Sequence, residues 1–324
     1  MLARLGFVAS VLSRDLSASR TCRLRNATEG RLRELIAENL AALEQVTAFL
    51  EEHRILLYRI SSHLIPFASH PVNTIRWWDD YADRFARVGA RLRARRIRVS
   101  THPGQYTVLN SPHASIVSAA VCELVYHARL LDALGADTTC KIIVHIGGLY
   151  GASERLAMDR FVATATALPD AVRRRLVVEN DDRLFDADEA LEVGRAAGLP
   201  VVFDWLHHQA NPCRREIRDV LPEIFQTWTS TDGRPKVHLS SQADGAPAGA
   251  HAPFIDTRDA AGLLEIAPAV PFDCMLEAKE KDRALLRLRD ELRVHGIVET
   301  DLANRRADDR RAPPLHRRRR RVCE

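Results

Sequence analysis

Hydrophobic and polar positions along the chain alternate between two patterns, short apolar runs and longer stretches of helical periodicity. The clearest helical stretch covers residues 29–52, where apolar side chains recur every three or four positions and form one face. We predict strands at Leu5–Ala9, Leu56–Ser61, Ile97–Thr101, Lys141–Ile146, Leu176–Glu179, Pro200–Asp204, Lys236–Ser240 and Phe272–Glu277. We predict helices at Glu29–Glu52, Trp77–Arg95, Ser115–Leu134, Ser153–Leu168, Asp186–Ala197, Ile217–Trp228, Arg258–Ala267 and Lys281–His295.

This regular strand–helix alternation predicts an α/β protein with a parallel sheet and helical crossovers. Eight such units match a closed (β/α)₈ TIM barrel, which we expect to form a single domain over residues 1–300. An open doubly wound sheet is the alternative. The chain has neither a G-x-G-x-x-G fingerprint nor a phosphate-binding P-loop, so we expect no nucleotide cofactor.

The composition changes after the last predicted helix. Residues 301–324 are rich in Arg, Asp and Pro, and Arg317 to Arg321 are five consecutive arginines. We expect this basic segment to be a disordered tail, either simply solvated or in contact with phosphate backbones. Because the net charge of the whole chain is only +4, charge alone does not predict a nucleic-acid partner.

Cysteine usage and the N-terminus bear on the compartment. The six cysteines form no C-x-x-C pair and follow no secretory signal, which favours reduced thiols in the cytoplasm. Residues 1–28 are rich in Arg and Ser like a transit peptide, but Leu5–Ala9 reads better as a first strand. We find no uninterrupted apolar run long enough to span a bilayer, and we expect a cytoplasmic monomer without a membrane partner.

Metal-binding residue types follow the predicted strands at corresponding places. The carboxyl ends of barrel strands converge on one face, so residues distant in sequence become neighbours there. A lone His in such a place is usually a structural hydrogen-bonder, and a lone carboxylate can cap the next helix. Five histidines and three carboxylates together predict a metal site instead. The candidate ligands are His102, His145, Glu179, Asp204, His207, His238, His251 and Glu277.

Eight ligands exceed what one ion uses, so we expect two or three divalent metal ions. Mixed His and carboxylate ligation suits Mn²⁺, our first choice, or Zn²⁺ or Co²⁺. Clustered metals are a common solution for phosphodiester hydrolysis. There one ion activates water, and the others neutralise the phosphate and the leaving oxygen.

Several longer strings extend this pattern, and together they resemble the UV damage endonucleases, which are related to endonuclease IV. The resemblance covers roughly residues 5–295. The strings are Arg59-Ile60-Ser61-Ser62, Pro66-Phe67-Ala68-Ser69-His70-Pro71, His102-Pro103-Gly104-Gln105-Tyr106, Val144-His145-Ile146-Gly147-Gly148, Glu179-Asn180-Asp181, Asp204 through His207-His208, Lys236-Val237-His238, Gly249-Ala250-His251 and Glu277-Ala278-Lys279.

The resemblance implies a DNA repair endonuclease that acts on double-stranded DNA carrying UV lesions. It would nick the strand 5′ of cyclobutane pyrimidine dimers and 6-4 photoproducts, with abasic sites as a further candidate. The eight residues above look like the metal ligands, and His70 looks like an additional active-site histidine. Gln105 and Tyr106 look like a pair that wedges into the duplex, where an aromatic ring can stack on a base. Arg59 would hold phosphates.

Lys236 precedes His238 by two residues, so both side chains point to the same strand face. Beside divalent cations its pKa should fall. We therefore expect Lys236 to act as a neutral amine or as a carboxylated anion, and we assign catalytic roles to Lys236, Glu179 and His70.

Two positions depart from the family pattern. Members often have Tyr and Asn where this chain has Phe7 and Val11. We group Phe7 with the lesion-binding residues and expect the two changes to alter the lesion range. A metal-dependent sugar isomerase with a similar barrel and an inactive DNA-binding protein are the alternative functions. Within the cytoplasm, the nucleoid would be the place of action on DNA.

Overall fold

Eight parallel strands close into a barrel in the computed structural model, which describes residues 1–303. Each strand pairs with the next barrel strand along the chain, and the first pairs with both the second and the last. The predicted TIM barrel is confirmed, and the open sheet was the wrong alternative. The barrel strands are β1 (Leu2–Val8), β4 (Leu57–Arg59), β5 (Arg98–Thr101), β6 (Lys141–His145), β7 (Leu176–Glu179), β8 (Val201–Asp204), β9 (Lys236–Leu239) and β10 (Phe272–Leu276). A small antiparallel hairpin joins β2 (Ser10–Val11) and β3 (Leu16–Ser17).

Helices surround the barrel and cover its outer face. The first of them begins where the Thr28 side chain accepts a hydrogen bond from the Arg31 backbone, and its apolar face is buried against the strands. The helices are α1 (Glu29–Glu52), α2 (Trp77–Asp80), α3 (Ala82–Ala94), α4 (Ala114–Ala133), α5 (Glu154–Thr166), α6 (Asp170–Arg173), α7 (Ala187–Ala197), α8 (Trp205–Ala210), α9 (Ile217–Gln226), α10 (Thr257–Ile266) and α11 (Lys281–Val294).

The predicted elements are found, most with ends shifted by one or two residues, and two differences are larger. Strand β1 starts at Leu2 rather than Leu5, and it ends before Ala9, whose φ is 64°. The helix predicted over 77–95 is two helices that meet at Tyr81. There the chain leaves helical geometry, and the Tyr81 hydroxyl donates to the Arg33 carbonyl oxygen at 3.1 Å.

Helix α4 is long and apolar enough to cross a membrane by length and composition alone. Its apolar run is interrupted by Glu123 and Arg129, so the expectation that the chain holds no uninterrupted apolar run of that length is unchanged. In the structure α4 is one of the outer barrel helices, and Leu124, Leu130 and Leu131 are buried against the protein.

The amino-terminal ends of the strands are closed by buried ion pairs. Arg98 pairs with Asp273 at 2.9 Å and stacks over the Trp228 ring at 5.4 Å. Lys141 pairs with Asp232 at 2.6 Å. These charges satisfy one another at the face opposite to the strand carboxyl ends.

The described chain ends at this same face. Asp301 pairs with Arg4 at 2.7 Å and with Arg234 at 2.8 Å, and Leu302 is buried. Residues 301 and 302 therefore pack with the barrel, beyond the domain boundary expected at residue 300. Residues 304–324 of the basic tail expected over 301–324 lie outside the described residues.

Candidate metal centre

The carboxyl ends of adjacent strands supply one cluster of histidines and carboxylates. His145 and Glu179 are register partners on β6 and β7, and Asp204 and His238 are register partners on β8 and β9. His102 directly follows β5, Glu277 directly follows β10, and His207 lies on the short helix α8. Since parallel strands in register end at the same level, seven of the eight predicted ligands come together.

Glu179 lies at the centre of this cluster and is almost fully buried. Its Oε1 is 2.6 Å from His238 Nδ1, and its Oε2 is 3.2 Å from His102 Nε2 and 3.7 Å from His145 Nε2. The two carboxylate oxygens therefore face different histidines. This arrangement suits a carboxylate that bridges two ions.

Two groups within the cluster have ligand atoms close enough to hold a metal ion, and they share Glu179. One contains His102, His145 and Glu179, and the other contains Glu179, Asp204, His238 and Glu277. Asp204 Oδ2 and His145 Nδ1 are buried without a hydrogen-bond partner. Buried polar atoms normally have partners, so these residues fit divalent cations in chemistry and in geometry.

Asn180 organises the part of the cluster around Asp204, and we assigned it no role from the sequence. Its Oδ1 accepts from the Asp204 backbone N–H at 2.8 Å, and its Nδ2 donates to the Asp204 carbonyl at 3.2 Å. Asp204 in turn caps α8 by accepting from the His207 backbone N–H at 2.8 Å. His207 Nδ1 lies 3.0 Å from the Asn180 carbonyl oxygen. The sequence signal for Asn180 was its place in the Glu179-Asn180-Asp181 string, directly after a predicted ligand.

Arg59 lies inside the cluster rather than on its rim. Its Nη2 is 2.6 Å from Glu277 Oε1 and 2.8 Å from His238 Nε2, and the residue is buried. In this position Arg59 compensates carboxylate charge. Its contact with DNA phosphates stays a prediction.

The crowding of charges separates the pKa values of the carboxyls. Burial alone would raise the pKa of Glu179, but His238, His145 and His102 hold it well below its ordinary value. Burial and the neighbouring carboxylates raise the pKa of Asp204. Burial lowers the pKa of His238. The opposing effects of burial and of Asp204, Glu179 and Glu277 leave the pKa of His207 raised, at about 9.

Lys236 is buried on β9, and its Nζ has no hydrogen-bond partner in the described chain. Burial, followed by the nearby Arg98 and Arg59 guanidinium groups, holds its pKa well below the ordinary value. The direction is the one we expected from the sequence. Its causes are present in the protein itself, before any metal ion is considered.

Two predicted histidines lie apart from the cluster. His70 is exposed, and its Nδ1 accepts from the Val72 backbone N–H at 3.1 Å within a turn. His251 is half-buried and forms a bridge with Gln242 in the loop between β9 and α10. Within residues 1–303, no hydrogen bond or ion pair joins either histidine to the cluster, so their active-site roles stay predictions.

Gln105 and Tyr106 are exposed on the loop that follows His102, and 83% of the Tyr106 surface is accessible. Phe7, by contrast, is fully buried, with its ring 5.4 Å from that of Tyr58. Val11 is fully buried too. The β1 side chain of Phe7 faces the protein core in this structure, and its lesion-binding role stays a prediction.

The chain is similar to known proteins over nearly its whole described length. The family model of UV-endonuclease UvdE matches residues 3–303. The UV DNA damage endonuclease of Bacillus cereus (strain G9842) is 33% identical over 308 residues, covering 92% of this chain and 97% of that protein. The crystal structure of SacUVDE superposes with a TM-score of 0.84 at 33% identity, covering 91% of this chain and 99% of that one.

More distant structures share the fold alone. Endonuclease IV from Thermus thermophilus gives a TM-score of 0.55 at 17% identity, covering 88% of this chain and 97% of that one. D-Psicose 3-epimerase from Clostridium cellulolyticum gives 0.51 at 12% identity, covering 94% of this chain and 98% of that one. The match over nearly the whole described chain, and not the barrel, decides the family: this chain belongs to the UV-endonuclease UvdE family.

Proposed function

We propose that this protein is a metal-dependent DNA repair endonuclease that nicks the strand immediately 5′ of UV photoproducts in double-stranded DNA. Cyclobutane pyrimidine dimers and 6-4 photoproducts are the proposed lesions, with abasic sites as a further candidate. The observation that carries the proposal is the buried Glu179 carboxylate, whose two oxygens face separate histidine groups. Such a centre suits phosphodiester hydrolysis.

Two or three divalent ions would be held by the residues of the cluster, and Mn²⁺ is our first candidate. When bound, such ions would activate water and neutralise the phosphate and the leaving oxygen. The proposed ligands are His102, His145, Glu179, Asp204, His207, His238, His251 and Glu277. His251 would have to join them from its loop.

The surrounding residues would prepare the site for its substrate. Asn180 fixes the backbone of Asp204 and so sets the direction of that carboxylate. Arg59 lies beside Glu277 and would offer its guanidinium to a phosphate oxygen. Exposed Gln105 and Tyr106 would enter the duplex and hold the lesion open.

Lys236 is proposed to be catalytic, as a neutral amine or as a carboxylated anion. Support comes from the burial of its Nζ without a partner, which is costly for an ammonium group. Intact-protein mass spectrometry under native conditions and the activity of Lys236→Ala test this role. A mass without a carbon dioxide adduct, together with unchanged activity of Lys236→Ala, would refute it.

A plasmid assay tests the main proposal. Purified protein with Mn²⁺ is incubated with supercoiled plasmid, either UV-irradiated or intact, and Zn²⁺ and Co²⁺ are compared. We expect nicking of the irradiated plasmid only, with ends that a DNA polymerase extends from a 3′ hydroxyl. Glu179→Gln should abolish it. Glu265→Gln, a change of an exposed carboxylate on α10, is the matched control.

The assay also separates the alternatives. Binding to irradiated DNA without nicking by any metal form would indicate an inactive DNA-binding protein. If the protein neither binds nor nicks irradiated DNA, the proposed function is refuted. A sugar isomerase is then the next candidate, and the epimerase barrel is similar to this chain in fold alone.

A further inference from the structure

Two tyrosines are the exposed aromatic residues of the described chain. Tyr106 has 83% of its surface accessible and Tyr150 has 42%, whereas the large aromatic side chains elsewhere are buried or half-buried. Tyr150 lies in the loop between β6 and α5, just after His145. It therefore belongs to the same face of the barrel as the metal centre.

The loops that carry the two tyrosines are joined by a buried side chain. Asn110, at the end of the Tyr106 loop, is fully buried and donates from Nδ2 to the Gly148 carbonyl oxygen at 2.9 Å. A β-carbon on Gly147 would lie 2.4 Å from Asn110 Oδ1, so glycine is required at that close approach. At the start of these loops the rings of His102 and His145 are 5.2 Å apart.

The Tyr150 backbone has an unusual conformation. Its φ is 54°, in the left-handed region that L-residues with a β-carbon seldom adopt. Glycines at 147 and 151 also have positive φ, so glycine would suit position 150 as well. A β-carbon at Gly148 would lie 3.4 Å from the Tyr150 ring, which therefore rests on this glycine.

The Tyr150 hydroxyl has no hydrogen-bond partner among residues 1–303. Neither backbone preference nor a buried contact thus explains a large aromatic side chain here. Unfavourable backbone geometry of this kind is concentrated at binding and active sites. An exposed aromatic ring on a well-ordered loop is suited to stack on a nucleic-acid base or sugar.

We infer that Tyr150 is a second aromatic DNA contact, which stacks on a nucleotide beside the one that Tyr106 displaces. The inference rests on the proposed function. The Asn110–Gly148 contact would hold the two rings in a fixed relation, so a distorted duplex would meet both at once. Tyr150 is then a specificity-determining residue for damaged DNA.

Steady-state kinetics of nicking on a duplex with one thymine dimer test the proposed role of Tyr150. The proteins compared are the Mn²⁺-loaded full chain and its variants Tyr150→Gly, Tyr150→Phe and Tyr106→Ala. We expect Tyr150→Gly to raise KM about tenfold, which is about 1.4 kcal/mol, with kcat within about twofold of wild type. Its Tm should not fall, because glycine adopts this φ freely. Tyr150→Phe should retain the wild-type KM, since the ring is kept.

Val294→Ala is the matched control, because Val294 is exposed at the carboxyl end of α11, on the opposite face of the barrel. An unchanged KM in Tyr150→Gly, alongside a raised KM in Tyr106→Ala, would overturn this inference and leave the proposed function intact. A fall in kcat alone would also overturn it, since that would indicate a structural effect on His145. If the wild-type protein does not nick the lesion duplex, both proposals fail.

Discussion

Metal binding should raise the thermal stability of the protein, and Glu179→Gln should remove that gain. Each ion that binds the folded chain alone stabilises it by about 2.7 kcal/mol at a free concentration of about one hundred times Kd. An unfolding entropy of about 2.1 cal/mol/K per residue gives about 0.6 kcal/mol/K for residues 1–303. The expected rise in Tm is therefore about 4 °C for each ion bound.

The effect of Glu179→Gln follows from its place between the two groups. Loss of an outer hydrogen-bond partner of a ligand already weakens metal binding by about 10–100-fold. Loss of the shared carboxylate should weaken it at least about 100-fold. At the same metal concentration the stabilisation then falls to about 0.4 kcal/mol for each ion, which is less than about 1 °C in Tm.

Differential scanning fluorimetry after dialysis against EDTA measures this, with Mn²⁺, Zn²⁺ or Co²⁺ added back. The quantity compared is the metal-induced change in Tm for each protein, which cancels any effect of the substitution on the metal-free fold. Glu265→Gln should behave like wild type, because this carboxylate is exposed on α10. Equal metal-induced shifts in wild type and Glu179→Gln would refute a centre organised around Glu179.

Three further predictions concern stability, ligand geometry and the β1 core. In EDTA, the raised pKa of His207 should contribute to the free energy of unfolding. This contribution should be fully present below about pH 6.5 and lost as the pH rises through about 9. His207→Asn should remove this part of the pH profile of urea unfolding. A profile unchanged by the substitution would contradict it. Asn180→Ala should cost about 1–3 kcal/mol, because both backbone groups of Asp204 lose partners, and calorimetry should find metal binding about 10–100-fold weaker. Wild-type affinity would count against the positioning role. Phe7→Tyr should destabilise by about 1–3 kcal/mol in urea unfolding, since its ring packs on Tyr58, and leave the set of lesions cut unchanged. A widened lesion range would support the role that we gave to position 7.

The fold could be predicted from sequence because its signals are local. Apolar periodicity located α1 at its observed bounds, and the alternation of strands and helices was sufficient for the barrel. The break at Tyr81 was missed, since the apolar pattern continues across it. Short elements such as α8 were missed because so few residues carry too little periodicity.

The site was predictable to the extent that strands in register end together. His145, Glu179 and His238 could be placed from their strand positions alone. His70 and His251 lie on loops, whose path depends on tertiary contacts that a sequence pattern does not contain. The burial of Phe7 could not be predicted for a related reason, since the strand pattern does not show that Phe49 and Tyr58 pack against its ring.

The two ends of the described chain meet beneath the barrel, where the Met1 amino group donates to the Val270 carbonyl at 2.8 Å and Asp301 pairs with Arg4. A fluorophore or surface tether attached there would point every molecule in one orientation, with the opposite face free for a DNA ligand. Single-molecule observation of the protein on stretched DNA thus has a ready attachment point.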